Sequence, residues 1–310
     1  MIETASVPSP TAAPAPAPAR PSSLKVWLLA CRPKTLATSL APVAVGSALA
    51  ASSERLDATY SLLALLGALL LQIGCNLFND YADFVRGADG DDRLGPPRAS
   101  QLGWLSPRSV AFGAGLSLAL AMPVGVALAL HGGWPLAAIG AAGMVAALAY
   151  TGGPYPLAYH GLGELFVMLF FGQAAVCGTY FLNTGELSAD AMFASVSVGA
   201  LATALIAINN LRDRETDRRA GKWTLAARFG ERFARRELVF CFALAYAIPL
   251  LRGLGPDGLG WWLPLLSAPL ALFELRALAR SDGAALNARL GGCARLGLIF
   301  GALLSLGVCL

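Results

Sequence analysis

Long apolar runs, broken at intervals by short polar stretches, dominate this 310-residue chain. Nine of them can be placed, at roughly 36–52, 60–79, 109–130, 134–151, 162–183, 191–209, 237–252, 261–279 and 291–309. A bilayer core about 30 Å thick is crossed by about 20 apolar residues in a helix. Only helices and closed barrels satisfy the backbone in hydrocarbon. Runs of this length predict an all-α, polytopic membrane protein, a bundle of about nine transmembrane helices. Gly and Pro recur inside the runs, as membrane helices tolerate. Gly113, Gly115, Gly140 and Gly143 would let neighbouring helices approach closely.

Composition agrees with that reading. Hydrophobic residues make up 56% of the chain and charged residues 14%, against about 25% charged in ordinary soluble domains. Residues 1–23 are rich in Pro, Ala and Ser and predict a disordered tail ahead of a membrane domain at 24–310. The six cysteines show no CxxC or metal-ligand spacing and read as small buried hydrophobes. The net charge of +4 matters less than its distribution. All Lys and Arg except Arg55 and Arg252 fall in the N-terminal segment, in the connections after the second, sixth and eighth runs, or, as Arg276 and Arg295, in the ends of the runs that flank the last of these. With nine crossings those segments share one side, which the positive-inside rule makes cytoplasmic, the N-terminus included.

Two acidic arrays stand at the ends of apolar runs on that same side. The first is NLFNDYADFVRGADGDDRLGPPR, Asn76–Arg98, and the second is NNLRDRETD, Asn209–Asp217. Carboxylates at the edge of hydrocarbon are costly, and they mark functional sites by default. Asn209, Asp213 and Asp217 are spaced i, i+4, i+8 and share a helix face, as do Asn79 and Asp83. Carboxylate and amide oxygens in such clusters suit a hard cation such as Mg²⁺, which shares its coordination with phosphate oxygens and water. The candidate metal ligands are Asn79, Asp80, Asp83, Asp89, Asn209, Asp213 and Asp217. Of these, Asp83, Asp213 and Asp217 are the candidate catalytic carboxylates. Arg93, Arg98, Arg212 and Lys222 would balance a diphosphate. One acidic helix end is explained by pairing with neighbouring Arg in a solvated loop; two matched arrays on one side are not.

Such a site fits a substrate with a diphosphate head and a long apolar tail. An allylic tail would ionise to a carbocation, which aromatic faces stabilise and from which water must be kept away. Tyr81, Tyr150 and Tyr155 are candidates to face that cation, and Phe78, Phe84 and Tyr159 lie near the same side. Glu164 is a candidate to bind a second substrate or act as a base, or alternatively to cap a helix N-terminus.

These motifs resemble those of the UbiA superfamily of intramembrane prenyltransferases, and within it the naphthoate-type members of menaquinone synthesis. The residues that carry the resemblance are RPKT at Arg32–Thr35, NDYADFVRGAD at Asn79–Asp89 and DDRLGPPRA at Asp91–Ala99. TGGPYPLAYHGLGE at Thr151–Glu164 and NNLRDRETDRRAGKWTLAARFG at Asn209–Gly230 complete the set. The resemblance implies nine transmembrane helices, Mg²⁺ dependence, a cytoplasmic-side active site and a bacterial cell inner membrane location. It implies a polyprenyl diphosphate donor, 1,4-dihydroxy-2-naphthoate as acceptor, and loss of diphosphate and CO₂. Lys34, in the RPKT collar, is a candidate for the acceptor carboxylate. The wider superfamily commonly has Asp where Gly87 stands, and Asp89 would substitute. No Lys follows the Tyr155-Pro156 pair, where Tyr159-His160 stands, which argues against 4-hydroxybenzoate. Homogentisate as acceptor or phytyl diphosphate as donor stays open. An ion-coupled transporter predicts charges near the midplane rather than at one edge. A CDP-alcohol phosphotransferase predicts an Asp-Gly…Ala-Arg pattern that is absent. Nothing suggests a nucleic-acid partner; membrane lipid is the expected surrounding.

Overall fold

The computed structural model describes residues 21–87, 94–96, 98–256 and 258–310, apart from the side chain of Lys34. The Pro/Ala-rich segment 1–20, Asp89 and Arg93 therefore lie outside the described residues.

Among the described residues the chain is helical with no β-strand. A short helix α1 (Ser23–Ala30) leads into α2 (Pro33–Ser52). Then follow α3 (Ala58–Val85), α4 (Pro107–Gly132) and α5 (Trp134–Ala149). After a 3₁₀ turn at Leu157–His160 come α6 (Gly163–Thr184), α7 (Ala189–Arg219) and α8 (Leu225–Arg252). The last two are α9 (Leu259–Arg280), which opens as a 3₁₀ helix, and α10 (Gly283–Val308). Each of the nine apolar runs coincides with one of the helices α2–α10. Seven of these are long and apolar enough to cross a membrane. The other two are α5, only 16 residues long, and α8, whose first half carries Arg228, Arg232, Arg235 and Arg236. The protein is a multi-pass membrane protein.

Local chemistry sets the helix starts. The Asp57 side chain accepts from the Thr59 and Tyr60 amides ahead of α3. Ser106, followed by Pro107, caps α4, and Ser188 and Thr224 cap α7 and α8 through the Ala191 and Ala227 amides. Helix α8 bends at Gly230, whose φ of 80° suits glycine. A ten-residue π-helical stretch, Met168–Cys177, lies in the middle of α6.

Helix α7 is the most buried span and packs against α2, the π-helical stretch of α6, α8 and α10. Its Gly199 meets Gly172 of α6 so closely that a Cβ on either would clash. This is the close backbone approach that small residues permit in membranes. A second packing cluster joins Val26 of α1, Leu77 of α3, Ala99 in the connection before α4, and Val110 and Ala114 of α4. Large apolar side chains such as Phe112, Met122, Leu130 and Leu266 face outward, as a bundle in lipid requires. The six cysteines are all free; Cys177, Cys241 and Cys293 are buried, whereas Cys31 and Cys75 are half-buried and Cys309, at the end of α10, is exposed, contrary to the expectation of uniform burial.

The two basic residues outside the one-sided set lie at the far end of the bundle. Arg55 bonds the Thr184 carbonyl and Glu186, and Arg252 pairs with Asp190 at 2.6 Å. The ends of α3 and α7 that carry the acidic arrays lie together at the opposite end, as the next section describes.

Candidate active site

Asn79, Asp80 and Asp83 are all buried on the last turns of α3. Asp80 is paired with Arg32, from the turn between α1 and α2, and with Arg98 at 3.3 Å. Arg98 also pairs with Asp83 at 2.9 Å and donates to the Asn79 carbonyl at 3.2 Å. Asn79 Oδ1 accepts from the Thr151 hydroxyl at 2.7 Å. Upstream, the Asn76 amide ties α3 to the collar through the Cys31 carbonyl and the Thr35 hydroxyl. The first array is thus fixed by three cationic or polar segments that are distant in sequence.

The second array continues α7 to Arg219. Arg212 is 2% exposed and holds both oxygens of Asp213, the amide oxygen of Asn209 at 2.8 Å and that of Asn287 at 2.7 Å. Asp217 faces Lys222, with Nζ 3.8 Å from Oδ1. Its other oxygen, Oδ2, is buried without a hydrogen-bond partner.

Tyr159 joins the arrays. Its hydroxyl donates to Asp83 at 3.1 Å, and Lys222 lies 5.9 Å above its ring. The backbone makes this possible: the Trp223 amide bonds the Tyr159 carbonyl at 3.0 Å, docking the loop after α7 on the 3₁₀ turn. Gly161, at φ +73°, lets the two segments meet. Burial, and then the charge of Asp83, push the Tyr159 hydroxyl above the ordinary phenol range, so it stays a donor at neutral pH. For Lys222, burial works against the charge, but Asp217 and Asp83 outweigh it and the ammonium is held above the usual lysine range. It remains cationic at every physiological pH.

A cavity of about 910 Å³ opens from these residues. Arg32, Asn79, Asp80, Asp83, Arg98, Asn209, Arg212 and Lys222 line its polar end. The rest is mainly apolar and runs between α3, α4, α5 and α6 to Ala64, Leu128, Leu136 and Leu182. From Asp83 to Ala64 along α3 is roughly 28 Å at 1.5 Å per residue. Tyr150, Phe166, Phe170 and Phe171 line it near the polar end and the middle.

Not every predicted residue faces this cavity. Tyr81 does not line it: the side chain packs with Phe78 in the α1–α3–α4 cluster, because its position on α3 points away from the array. Tyr155 is 57% exposed and stacks on His160 at 3.6 Å, outside the cavity. Glu164 lies behind the wall, with Oε1 accepting from Asn210 at 2.7 Å. Conversely, Arg32, Thr151, Asn210 and Asn287 hold the site together and went unassigned in the sequence. Arg32 and Thr151 stand within recognisable motifs and Asn210 beside Asn209. Asn287, near the start of α10, gives no local signal.

Hard oxygen donors and a buried, unpartnered carboxylate oxygen at Asp217 fit a divalent cation. Among the described residues no three His, Cys, Asp or Glu side chains converge as a complete metal site.

Comparison with known proteins agrees with this architecture. The chain is 37% identical over 266 residues to the 1,4-dihydroxy-2-naphthoate octaprenyltransferase of Escherichia coli, covering 84% of this chain and 86% of that protein. It is 41% identical over 251 residues to the protein of the same name from Mycobacterium tuberculosis, covering 81% and 85%. In fold it matches the structure of a UbiA homolog from Archaeoglobus fulgidus bound to DMAPP and Mg²⁺, at a TM-score of 0.63 and 19% identity, over 90% of this chain and 99% of that one. The model of the UbiA prenyltransferase family matches residues 39–299, a stretch that takes in both acidic arrays, most of the cavity lining and every helix from α3 to α9, and the chain belongs to that family.

Proposed function

We propose that this protein transfers a polyprenyl group from polyprenyl diphosphate to 1,4-dihydroxy-2-naphthoate, releasing diphosphate and CO₂. The observation that carries the reading is one polar chamber, bracketed by the ends of α3 and α7, at the mouth of a long apolar cavity. The names of the bacterial relatives support this acceptor. A transporter reading fares worse, because the charges gather at one end of the bundle and the rest of the cavity is apolar.

Arg98, Arg212 and Lys222 would receive the diphosphate, each already positioned by a carboxylate partner. The apolar cavity would hold the tail and keep water from the reacting carbon. Tyr150 and Phe166 would face the developing allylic charge. Asn79, Asp80, Asp83, Asn209, Asp213 and Asp217 would hold Mg²⁺, with substrate oxygens and water completing its coordination. When bound, the cation would neutralise the leaving diphosphate as a Lewis acid. Mg²⁺ in the Archaeoglobus fulgidus neighbour supports that assignment. Asp89 and Arg93 keep their proposed roles on sequence grounds, and Lys34 remains the candidate for the acceptor carboxylate. We also propose nine crossings with a cytoplasmic N-terminus and active site, from the one-sided distribution of Lys and Arg, and residence in a bacterial inner membrane, from the likeness to the bacterial relatives.

The test is an assay of the protein in lipid vesicles with polyprenyl diphosphate, 1,4-dihydroxy-2-naphthoate and Mg²⁺, read by mass spectrometry. A prenylated product lacking the carboxyl group is expected, and EDTA abolishes it. Product from homogentisate or 4-hydroxybenzoate but none from the naphthoate would overturn the acceptor and leave the transferase reading standing.

A further inference from the structure

Arg212 has most of its hydrogen-bonding capacity spent inside the protein. A guanidinium carries five N–H donors in a planar fork. The Nε–H goes to Asp213 Oδ1, the Nη2 hydrogens go to Asp213 Oδ2 and Asn209, and one Nη1 hydrogen goes to Asn287 at 2.7 Å. The second Nη1 hydrogen meets no acceptor among the described residues. The side chain is buried yet lines the cavity, so this hydrogen is what it offers a ligand there. Asp213 and Asn209 hold one edge of the fork, and Asn287 holds the edge from which that donor leaves.

Asn287 sits on the cavity face of α10, in line with Leu290 and Ala294. Its amide meets two groups of opposite kind. Oδ1 accepts from Arg212, which can only donate, and Nδ2 donates to the Leu94 carbonyl at 2.8 Å, which can only accept. These partners fix the orientation of the amide. They also account for the residue type: Asp has no donor for the carbonyl, and Leu, of similar shape, has neither group. Leu94 belongs to the segment that leads into Arg98, the partner of Asp80 and Asp83. One side chain on α10 therefore reaches the cationic supports of both arrays. Its mount is tied down separately. Arg214 of α7 holds Asp282 at 2.8 and 3.2 Å, Arg235 of α8 donates to the Ser281 carbonyl at 3.0 Å, and Arg289 pairs at 2.9 Å with the buried Glu274 of α9.

We infer that Asn287 is a positioning residue for the donor diphosphate, an inference that rests on the prenyl-transfer reading above. It holds Arg212 so that the remaining Nη1 hydrogen points into the chamber, and it latches the segment before Arg98 against the second array. The chamber then has a third supporting element, α10, besides α3 and α7.

The experiment compares the wild-type protein, Asn287→Leu, Arg212→Ala and the double variant in lipid vesicles. It reads kcat, KM for each substrate, and Kd for an unreactive polyprenyl thiodiphosphate. Asn287→Leu is expected to raise donor KM and thiodiphosphate Kd about 30-fold, the scale of one hydrogen bond to a charged group. Acceptor KM keeps its wild-type value. In the Arg212→Ala background the same substitution costs only a few-fold, because residues that act through one another are not additive. If Asn287→Leu does not insert, Asn287→Ala, which leaves room for water, decides on the same readings. Wild-type donor KM and Kd in the variant, an equal loss in both backgrounds, or donor and acceptor KM raised alike overturns the inference. A wild-type protein that binds the thiodiphosphate but makes no product from the naphthoate overturns the acceptor reading, and the Kd values still decide on Asn287. One that neither binds nor reacts overturns the proposed function, and this inference with it.

Discussion

Asp83→Ala is expected to lower prenyl transfer by roughly 10³-fold, the scale of losing one preorganised electrostatic partner at a site where charge develops. Asp83 is where both arrays are joined: Arg98 and Tyr159 hold its two oxygens, and Tyr159 leads to Lys222 and Asp217. Removing one member of a buried ion pair costs about 3–5 kcal/mol when the other charge is stranded. Arg98 is not stranded here, because Asp80 stays 3.3 Å away and the Asn79 carbonyl still accepts from it. The variant should therefore insert and give an unchanged helical circular dichroism spectrum while its turnover collapses. The Asp83→Ala, Asp213→Ala double variant should be no more than marginally active. Turnover assays on protein with a verified helical spectrum check both, and a fully active double variant would sink the assignment of the arrays.

The second large effect concerns the tail. Ala174 lies on the π-helical stretch of α6 and lines the middle of the cavity. Ala174→Phe places a ring across the path between the polar chamber and Leu182. Long polyprenyl diphosphates would then be unable to seat their tails without displacing the head. A misplacement of about 1 Å at the reacting carbon costs on the order of 10²-fold, so kcat/KM for long donors should fall by that amount. Geranyl diphosphate, short enough to stop before the new ring, should lose only a few-fold. Measuring kcat/KM for the two donors side by side separates this from a general loss of stability, which would lower both alike.

The helical segments could be read from the sequence because hydrocarbon imposes a simple rule on length and apolarity. The runs at 36–52 and 162–183 became α2 and α6 almost residue for residue, whereas the run at 191–209 continues ten residues further, as α7, to carry the second array. The charge count placed both arrays at the same end of the bundle; that they meet, through Tyr159 and Lys222, comes from how the helices pack. Asp83, Asp213, Asp217, Arg98, Arg212 and Lys222 were legible because charged side chains have few uses at such a place. The aromatics were less so. A Tyr serves as readily for packing as for a site, and the direction in which it points depends on helix rotation. Tyr150 faces the cavity, whereas Tyr81 packs against Phe78 and Tyr155 stacks on His160 at the surface. The long-range partners were the least visible. Asn287 meets Arg212 across 75 residues of sequence, and Thr151 meets Asn79 across 72. Such contacts arise from how whole helices pack, and no local pattern encodes them.

The central claim is that α3 and α7 grip one diphosphate at the mouth of a cavity that holds its tail. A structure of the protein with an unreactive polyprenyl thiodiphosphate and Mg²⁺ tests it most directly. The account predicts the diphosphate between Asp83 and Asp217, within reach of Lys222 and Arg98, and the tail along Phe170 and Ala174 toward Leu182. A diphosphate bound away from either array, or a tail lying outside this cavity, would contradict it.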